Sequence, residues 1–312
     1  MRHESPSKLV FGPVASRRLG RSLGIDLVPF KTCTYDCIYC QLGRTTDKTI
    51  RRKPYVPVAE VISELKERLK RPDFDYITLS GSGEPTLHTQ LGEIIPRIRK
   101  LTNIPVAVLT NGSLLCEPEV RRACALADVV LPTLTAANAT FFFQIHRPCP
   151  EITFPRMVDG LYAFRDEFAG EFWLEVFLVE GVNDATAHIL RMKEIIDRLD
   201  PDRTHLNTVV RPPAEKHALR VPAERMRQIR NLLGPTAQVI TDSPEREGEC
   251  ASVAKVADVL SLLRRRPCAL SDISAGLSLH ASEVVKYVQI LVDKGLVSTV
   301  ETNGKRYFLA RS

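Results

Sequence analysis

Cys33-Thr34-Tyr35-Asp36-Cys37-Ile38-Tyr39-Cys40 stands just after the alternating stretch Ile25-Asp26-Leu27-Val28. Three cysteines at spacings of four and three are one thiol short of a closed four-thiolate site. A structural zinc ion wants a fourth Cys or His at matching spacing, usually from a second C-x-x-C. None follows nearby. The other five cysteines, Cys116, Cys124, Cys149, Cys250 and Cys268, are scattered. That usage fits a metal or cluster site in a reducing compartment better than a disulfide framework. A cubane [4Fe-4S] cluster has four irons, so three thiolates leave one iron open to a small ligand. Cys149 has no neighbouring cysteine at a useful spacing and reads as an ordinary thiol.

A strand over 23–28 leads into the cysteine loop, and the pattern repeats down the chain. Apolar, β-branched runs predict further strands at 75–79, 105–109, 128–134, 172–179, 205–210 and 237–240, the third of these interrupted by Pro132. Helical periodicity covers 58–69, 91–99, 118–127, 154–168, 186–199 and 223–233. Each strand ends in Gly, Asn, Pro or polar residues rather than in a tight hairpin. Six or seven β-then-α units in tandem predict a parallel sheet with right-handed crossovers. The fold class is α/β, a partial (β/α)6 TIM-like barrel with its chemistry at the carboxyl ends of the strands. A doubly wound sheet is the competitor that periodicity leaves open.

Residues 241–250 are polar and read as a linker between a barrel over 1–240 and a second domain over 251–312. Helical stretches at 253–263, 270–276 and 281–294 precede runs at 296–300 and 307–309, which flank Asn303-Gly304, a strong tight-hairpin signal. Three helices and a hairpin in this order predict a small winged helix-turn-helix domain.

The chain has 312 residues, of which 44% are hydrophobic, enough for one large domain and one small one. No apolar run approaches the length that crosses a bilayer, and the N-terminus lacks the apolar segment of a secretory signal. The expectation is a cytoplasmic protein with no membrane partner. The formal charge is +6, with basic knots at Arg17-Arg18, Arg51-Arg52-Lys53, 97–100 and Arg264-Arg265-Arg266. Such an excess mildly favours anionic partners, although a charge run is more often a solvated face. In the winged domain, the helix at 281–294 sets Lys286 and Lys294 against Glu283 and Asp293, with Gln289 nearly alone to read bases. Lys305 and Arg306 of the wing are the better candidates for nucleic-acid contact.

The triplet C-x-x-x-C-x-x-C after a first strand, with Tyr39 before the last cysteine, resembles the signature of the radical S-adenosylmethionine superfamily. Four later landmarks follow in that superfamily's order. They are Gly81-Ser82-Gly83-Glu84-Pro85 after the second strand, Thr110-Asn111-Gly112 after the third, the run from Phe143 to Pro148 after the fourth, and Val179-Glu180-Gly181-Val182-Asn183-Asp184 after the fifth. The likeness covers about residues 23–213 and is nearest in kind to MoaA/NifB/wyosine-synthase-like iron–sulfur oxidoreductases. It implies a [4Fe-4S] cluster on Cys33, Cys37 and Cys40. It also implies S-adenosylmethionine held by Tyr39, Gly81, Ser82, Gly83, Glu84, Pro85, Thr110, Asn111, Thr133 and Asn183. A one-electron donor of flavodoxin or ferredoxin type would drive reductive cleavage, and the 5′-deoxyadenosyl radical would abstract hydrogen from substrate.

The chain departs from the pattern where many members carry Ser-Leu-Asp. Thr133-Leu134-Thr135 keeps hydroxyls there and lacks the acid. Glu175 and Asn207 fall on central strands and Arg211 ends one, which makes them the catalytic candidates. Glu175 and Arg211 either pair with each other or meet substrate. His146 either binds substrate or caps a helix, and Asp26 orients the cluster loop through backbone hydrogen bonds. Two substrate classes stay open: a base in tRNA, and a peptide or protein side chain presented by the winged domain. The wyosine-type branch suggests the first, although this chain lacks the extra N-terminal cysteine triad of that branch's archaeal members. A non-catalytic DNA-binding iron–sulfur sensor is the reading from another class, but it has no need of the strand-end landmarks.

Overall fold

The computed structural model describes residues 9–240, 256–277, 279 and 281–311, and the linker expected at 241–250 lies outside them. The chain opens with an antiparallel hairpin of β1 (Val10–Ser16) and β2 (Gly20–Ile25). A loop follows, whose base is pinned by a two-residue parallel ladder between β3 (Thr32–Cys33) and β4 (Asp47–Lys48). Then come α1 (Val58–Leu69), β5 (Tyr76–Leu79), α2 (Leu91–Arg99), β6 (Val106–Thr110), α3 (Pro118–Cys124) and β7 (Val129–Leu134). The barrel finishes with α4 (Ala139–His146), α5 (Phe154–Glu167), β8 (Glu171–Leu178), α6 (Thr186–Leu199), β9 (Arg203–Thr208), α7 (Ala223–Leu233) and β10 (Ala237–Val239).

The main sheet runs β1-β2-β5-β6-β7-β8-β9-β10, parallel from β2 onward. Its two edges, β1 and β10, do not pair, so the barrel is open along one side. The expected six β/α units are present, with β10 as a short seventh parallel strand. Alternation along β8 shows what each face does. Phe172, Leu174, Val176 and Leu178 join the core beneath the helices, while Trp173, Glu175 and Phe177 face the lumen. The helices answer with one apolar stripe each; in α6 it is Ile189, Met192, Ile196 and Leu199. Leu19, in the β1–β2 turn, packs with Ala107, Val129, Leu131 and Trp173 to close the floor of the lumen.

Two local expectations are corrected. The first parallel strand ends at Ile25 rather than 28, because the Asp26 amide turns to the Leu9 carbonyl and its carboxylate to Ser82. The strand predicted to break at Pro132 runs through it. Proline removes one ladder donor, yet the register to β8 is the same on both sides (Val130↔Phe172, Thr133↔Glu175).

The C-terminal domain is a winged helix: α8 (Val256–Arg265), α9 (Leu270–Leu277), α10 (Ala281–Asp293), β11 (Val297–Thr302) and β12 (Lys305–Ala310). Asn303 and Gly304 both take positive φ, 53° and 70°, as a two-residue primed turn requires. This domain does not stand apart. Its core of Val259, Leu262, Ile273, Val288, Leu291 and others is completed by Val14 from β1, with Phe11 packed beside it. Gly24 of β2 makes room for Phe11, since a Cβ there would overlap the ring. Helices α8 and α9 both lie on β1. Farther round, the Tyr307 hydroxyl donates to the Val210 carbonyl (2.6 Å), and Arg211 meets Asp272 at 3.3 Å. The winged helix therefore bridges the open side of the barrel, from the β1 edge to the end of β9.

Candidate active site

Cys33, Cys37 and Cys40 are free thiols on the loop between β2 and α1, all partly exposed. Lys31, at φ 64°, sends the chain into this loop while its amide donates to the Ser82 carbonyl at 2.7 Å. Burial, then the Glu84 carboxylate, pushes the Cys33 thiol up to about 12, and burial with repulsion from Cys33 and Cys40 raises Cys37. Two thiols that resist ionisation beside each other need a cationic centre to become thiolates. Among the described residues no three Cys, His, Asp or Glu side chains converge on a single ion. Zinc would draw its thiolates together. In a cluster each thiolate takes a different iron, and three cysteines on one loop supply the three thiolates that leave one iron open.

The Gly81–Pro85 segment wraps beneath the loop. The Asp26 carboxylate accepts from the Ser82 amide (2.5 Å) and hydroxyl (2.7 Å), so Asp26 orients the glycine segment rather than the cysteine loop. A Cβ on Gly81 would overlap Asp26, and one on Gly83 would overlap the Thr32 carbonyl. Gly83 is thus required by the neighbouring backbone, and Gly81 by the Asp26 carboxylate and its own positive φ of 142°. The buried Glu84 carboxylate accepts from Thr86 (amide 3.1 Å, hydroxyl 2.6 Å), the Thr110 hydroxyl (2.6 Å) and the Asn111 amide (2.7 Å). It ties the ends of β5 and β6 together. Pro85 begins a buried 3-10 turn. The Asn111 amide group reaches the Thr34 hydroxyl at 2.8 Å and the Cys33 sulfur at 3.6 Å.

The His146 side chain caps no helix and turns to the cysteine loop instead. It is buried at the end of α4, and its Nδ1 lies 3.1 Å from the Cys37 sulfur. Its Nε2 lies 2.7 Å from the Thr135 hydroxyl. With a thiolate at Cys37, Nδ1 carries the proton and Nε2 accepts from Thr135. Burial holds the imidazole pKa down to about 3, so the ring is neutral. Asn183 donates to the Thr135 and Phe177 carbonyls (2.7 and 2.9 Å) and accepts from the Val179 amide (2.7 Å), pinning the end of β8. Tyr39 stacks on Phe177 with centroids 3.9 Å apart.

A cavity of about 360 Å³ lies between the cysteine loop, the lumen and the winged helix. Cys37, Tyr39 and Cys40 line its upper wall with Gly81 and Gly83, and Thr133, Glu175 and Asn207 line its lumen wall. The Asn207 amide donates to Glu175 at 2.7 Å, and the Thr133 hydroxyl at 3.2 Å. Glu175 pairs with Arg18, not with Arg211, which instead meets Asp272 and Gln41. Burial pushes the Glu175 carboxyl up, but Arg18, Asn207 and Arg17 outweigh it and hold the group below the ordinary range. The basic knots hide the residues that sequence reading missed. Arg17, Arg18, Arg265 and Arg266 all turn into the cavity, and their only sequence signal is two runs of adjacent arginines.

Residues 27–192 match the Radical SAM superfamily, and residues 252–301 the IclR helix-turn-helix domain. The chain belongs to the radical SAM superfamily. Enzymes of this superfamily use a [4Fe-4S] cluster and S-adenosylmethionine, and the cysteine loop carries the thiols such a cluster takes. It is 39% identical over 303 residues to a protein called GTPase Obg in Brachyspira hyodysenteriae, covering 96% of this chain and 44% of that one. A UPF0026 protein of Helicobacter pylori strain J99 is 31% identical, with 92% and 94% covered. A UPF0026 protein of Methanocaldococcus jannaschii is 36% identical over 212 residues, covering 67% of this chain and 66% of that one. The chain thus spans under half of the first relative's length and just under two thirds of the last. Among solved structures, Streptococcus suis SuiB bound to its precursor peptide SuiA superposes with a TM-score of 0.55 at 13% identity, over 72% of this chain and 50% of that one. A radical SAM methyltransferase from Sphaerobacter thermophilus does so with 0.52 at 18%, over 70% and 65%. These share the fold. Among the described residues no helix is long and apolar enough to cross a membrane.

Proposed function

We propose that the chain cleaves S-adenosylmethionine reductively at a cluster on Cys33, Cys37 and Cys40, and that the 5′-deoxyadenosyl radical takes hydrogen from a nucleotide unit in the cavity below. The observation that carries this reading is the shared chamber: Cys37, Cys40, Gly81 and Gly83 line the same cavity as Glu175 and Asn207. A radical formed at the loop has a short, enclosed path to a C–H bond held at the lumen wall, and enclosure protects it from quenching. Backbone carbonyls of Gly81 and Gly83 would take the cofactor's ammonium group, with Tyr39 and Thr133 alongside, while the Ser82 carbonyl is held by the Lys31 amide. Glu84, Pro85, Thr110, Asn111 and Asn183 act by holding the strand ends that shape this pocket.

Glu175, Asn207 and Arg211 stand on the substrate side. The Glu175 carboxylate and the Asn207 amide suit the donor and acceptor edges of a nucleobase, which supports a base in tRNA or a free nucleotide over a peptide. A base within RNA has to be extruded to enter a chamber of this size. A flavodoxin- or ferredoxin-type donor supplies the electron.

The test is anaerobic. Protein reconstituted with iron and sulfide receives S-adenosylmethionine and dithionite, with and without bulk tRNA, and 5′-deoxyadenosine is measured by chromatography. Product is expected from the native chain, is stimulated by tRNA if a tRNA base is the substrate, and is lost in Cys37→Ala. A chain that holds its full iron and never releases 5′-deoxyadenosine is a sensor, and the proposal fails.

A further inference from the structure

The charge around the cavity does not balance. Arg17, Arg18, Arg211, Arg265 and Arg266 all line it. Three of them have a carboxylate: Arg18 pairs with Glu175, Arg265 lies 3.2 Å from Asp26, and Arg211 lies 3.3 Å from Asp272. Arg17 and Arg266 have no carboxylate partner among the described residues. Buried N–H groups go unanswered as well: Nη1 of Arg17, Nε of Arg211, and Nε and Nη2 of Arg266 meet no acceptor. Burial, then Arg211 and Arg18, lowers the Arg17 pKa to about 10; burial and then Arg211 press on Arg266 in the same direction. The Arg211 guanidinium thus presses on both Arg17 and Arg266, and Arg266 adds to the pressure on Arg17.

Uncompensated buried cations are expensive, and folded chains seldom keep them without a counter-ion. Among the described residues Arg17 and Arg266 lack one, while Arg211 has Asp272 at 3.3 Å; the three come from separate places: the β1–β2 turn, the chain just beyond β9, and the residue that follows α8. Two belong to the barrel and one to the winged helix, so they face one another only because the winged helix bridges the open side.

We propose that Arg17, Arg211 and Arg266 form the recognition site for a phosphate monoester carried by the substrate. Two uncompensated positive charges match the dianion, and guanidinium forks suit phosphate oxygens. The site rests on the cavity being the substrate chamber. It gives that chamber polarity, with the anionic end of the substrate towards the winged helix and the reacting end towards the cysteine loop.

The test is thermal unfolding of the full chain titrated with inorganic phosphate at constant ionic strength. Malonate is the dicarboxylate arm, and the series is repeated with saturating S-adenosylmethionine. A saturable rise in Tm is expected with phosphate, weaker with malonate and undiminished by S-adenosylmethionine. Arg17→Met and Arg266→Met should each weaken it by roughly tenfold or more, with iron content unchanged. Without phosphate both variants should unfold at or above the native Tm, because each loses a repelling charge. Arg230→Ala, on the exposed face of α7, should bind phosphate as the native chain does.

No saturable effect of phosphate on the native chain overturns the proposal, as does equal binding by both cavity variants. Malonate matching phosphate reassigns the site to carboxylates. Loss of the effect with S-adenosylmethionine present assigns the arginines to the cofactor's carboxylate. None of these readouts needs radical chemistry, so a failure of the reaction proposed above would leave them standing, and the reverse.

Discussion

His146 is the residue whose sequence context said least about its task. With Cys37 ionised, its imidazole N–H points at the Cys37 sulfur, and Tyr35 and Phe142 pack around the ring with centroids 4.5 and 5.3 Å away. A hydrogen bond to a ligating sulfur stabilises the reduced, more negative state of a cluster. His146→Phe keeps the aromatic packing and removes the N–H. The reduction potential is expected to fall by on the order of tens of millivolts, read by an EPR-monitored titration, with iron content unchanged. His205 shows a second consequence of burial. Desolvation, then Arg18, lowers its pKa from 6.5 to about 4. The unfolded chain therefore binds more protons between those values, and stability falls as pH drops through that window. The loss is on the order of 3 kcal/mol if no other group compensates. His205→Phe should flatten the profile of Tm against pH there, while an unchanged slope would place the acid sensitivity elsewhere.

At the scale of elements, β1 does the work of two domains. It is the edge strand of the barrel and lends Val14 to the core of the winged helix. Val14→Asp puts a carboxylate among Val259, Leu262 and their neighbours, and the expected cost is about 2–4 kcal/mol. Hydrogen exchange should speed up in α8 and α9 before it does in the barrel strands. Uniform loss of protection would mean that the two cores melt as one. Sequence reading had no strand here, because Gly12 and Pro13 interrupt the run that surrounds Phe11 and Val14. By contrast α6, α7 and the Asn303-Gly304 turn were legible to the residue. Long amphipathic periods and obligatory positive φ are local properties, and they survive any tertiary context.

For the molecule as a whole, the cysteine triad and the order of β/α units were plain in the sequence. Where the basic charge goes was not. Of the run Arg264-Arg265-Arg266, the first faces solvent, the second meets Asp26, and the third enters the cavity. No periodicity tells a solvated guanidinium from one that awaits an anion, since that depends on packing between residues more than two hundred positions apart. The same holds for Glu175, whose partner Arg18 comes from the opposite end of the barrel chain. On α10 the exposed face carries two apolar residues, Val285 and Ile290, among Lys286, Gln289 and Asp293, with one charge of each sign, while α9 is spent on β1. A helix-turn-helix in this position serves the barrel first.

Trp173 sits on the floor of the lumen, 2% exposed, with the Arg203 guanidinium 4.4 Å over its ring and His205 edge-on at 5.4 Å. It is the chain's one tryptophan. Whatever fills the chamber above it alters the field and the collisional quenching that this indole feels. The protein thus carries an intrinsic optical probe beneath its own reaction vessel, and occupancy can be followed by emission with no dye and no second indole to blur the signal.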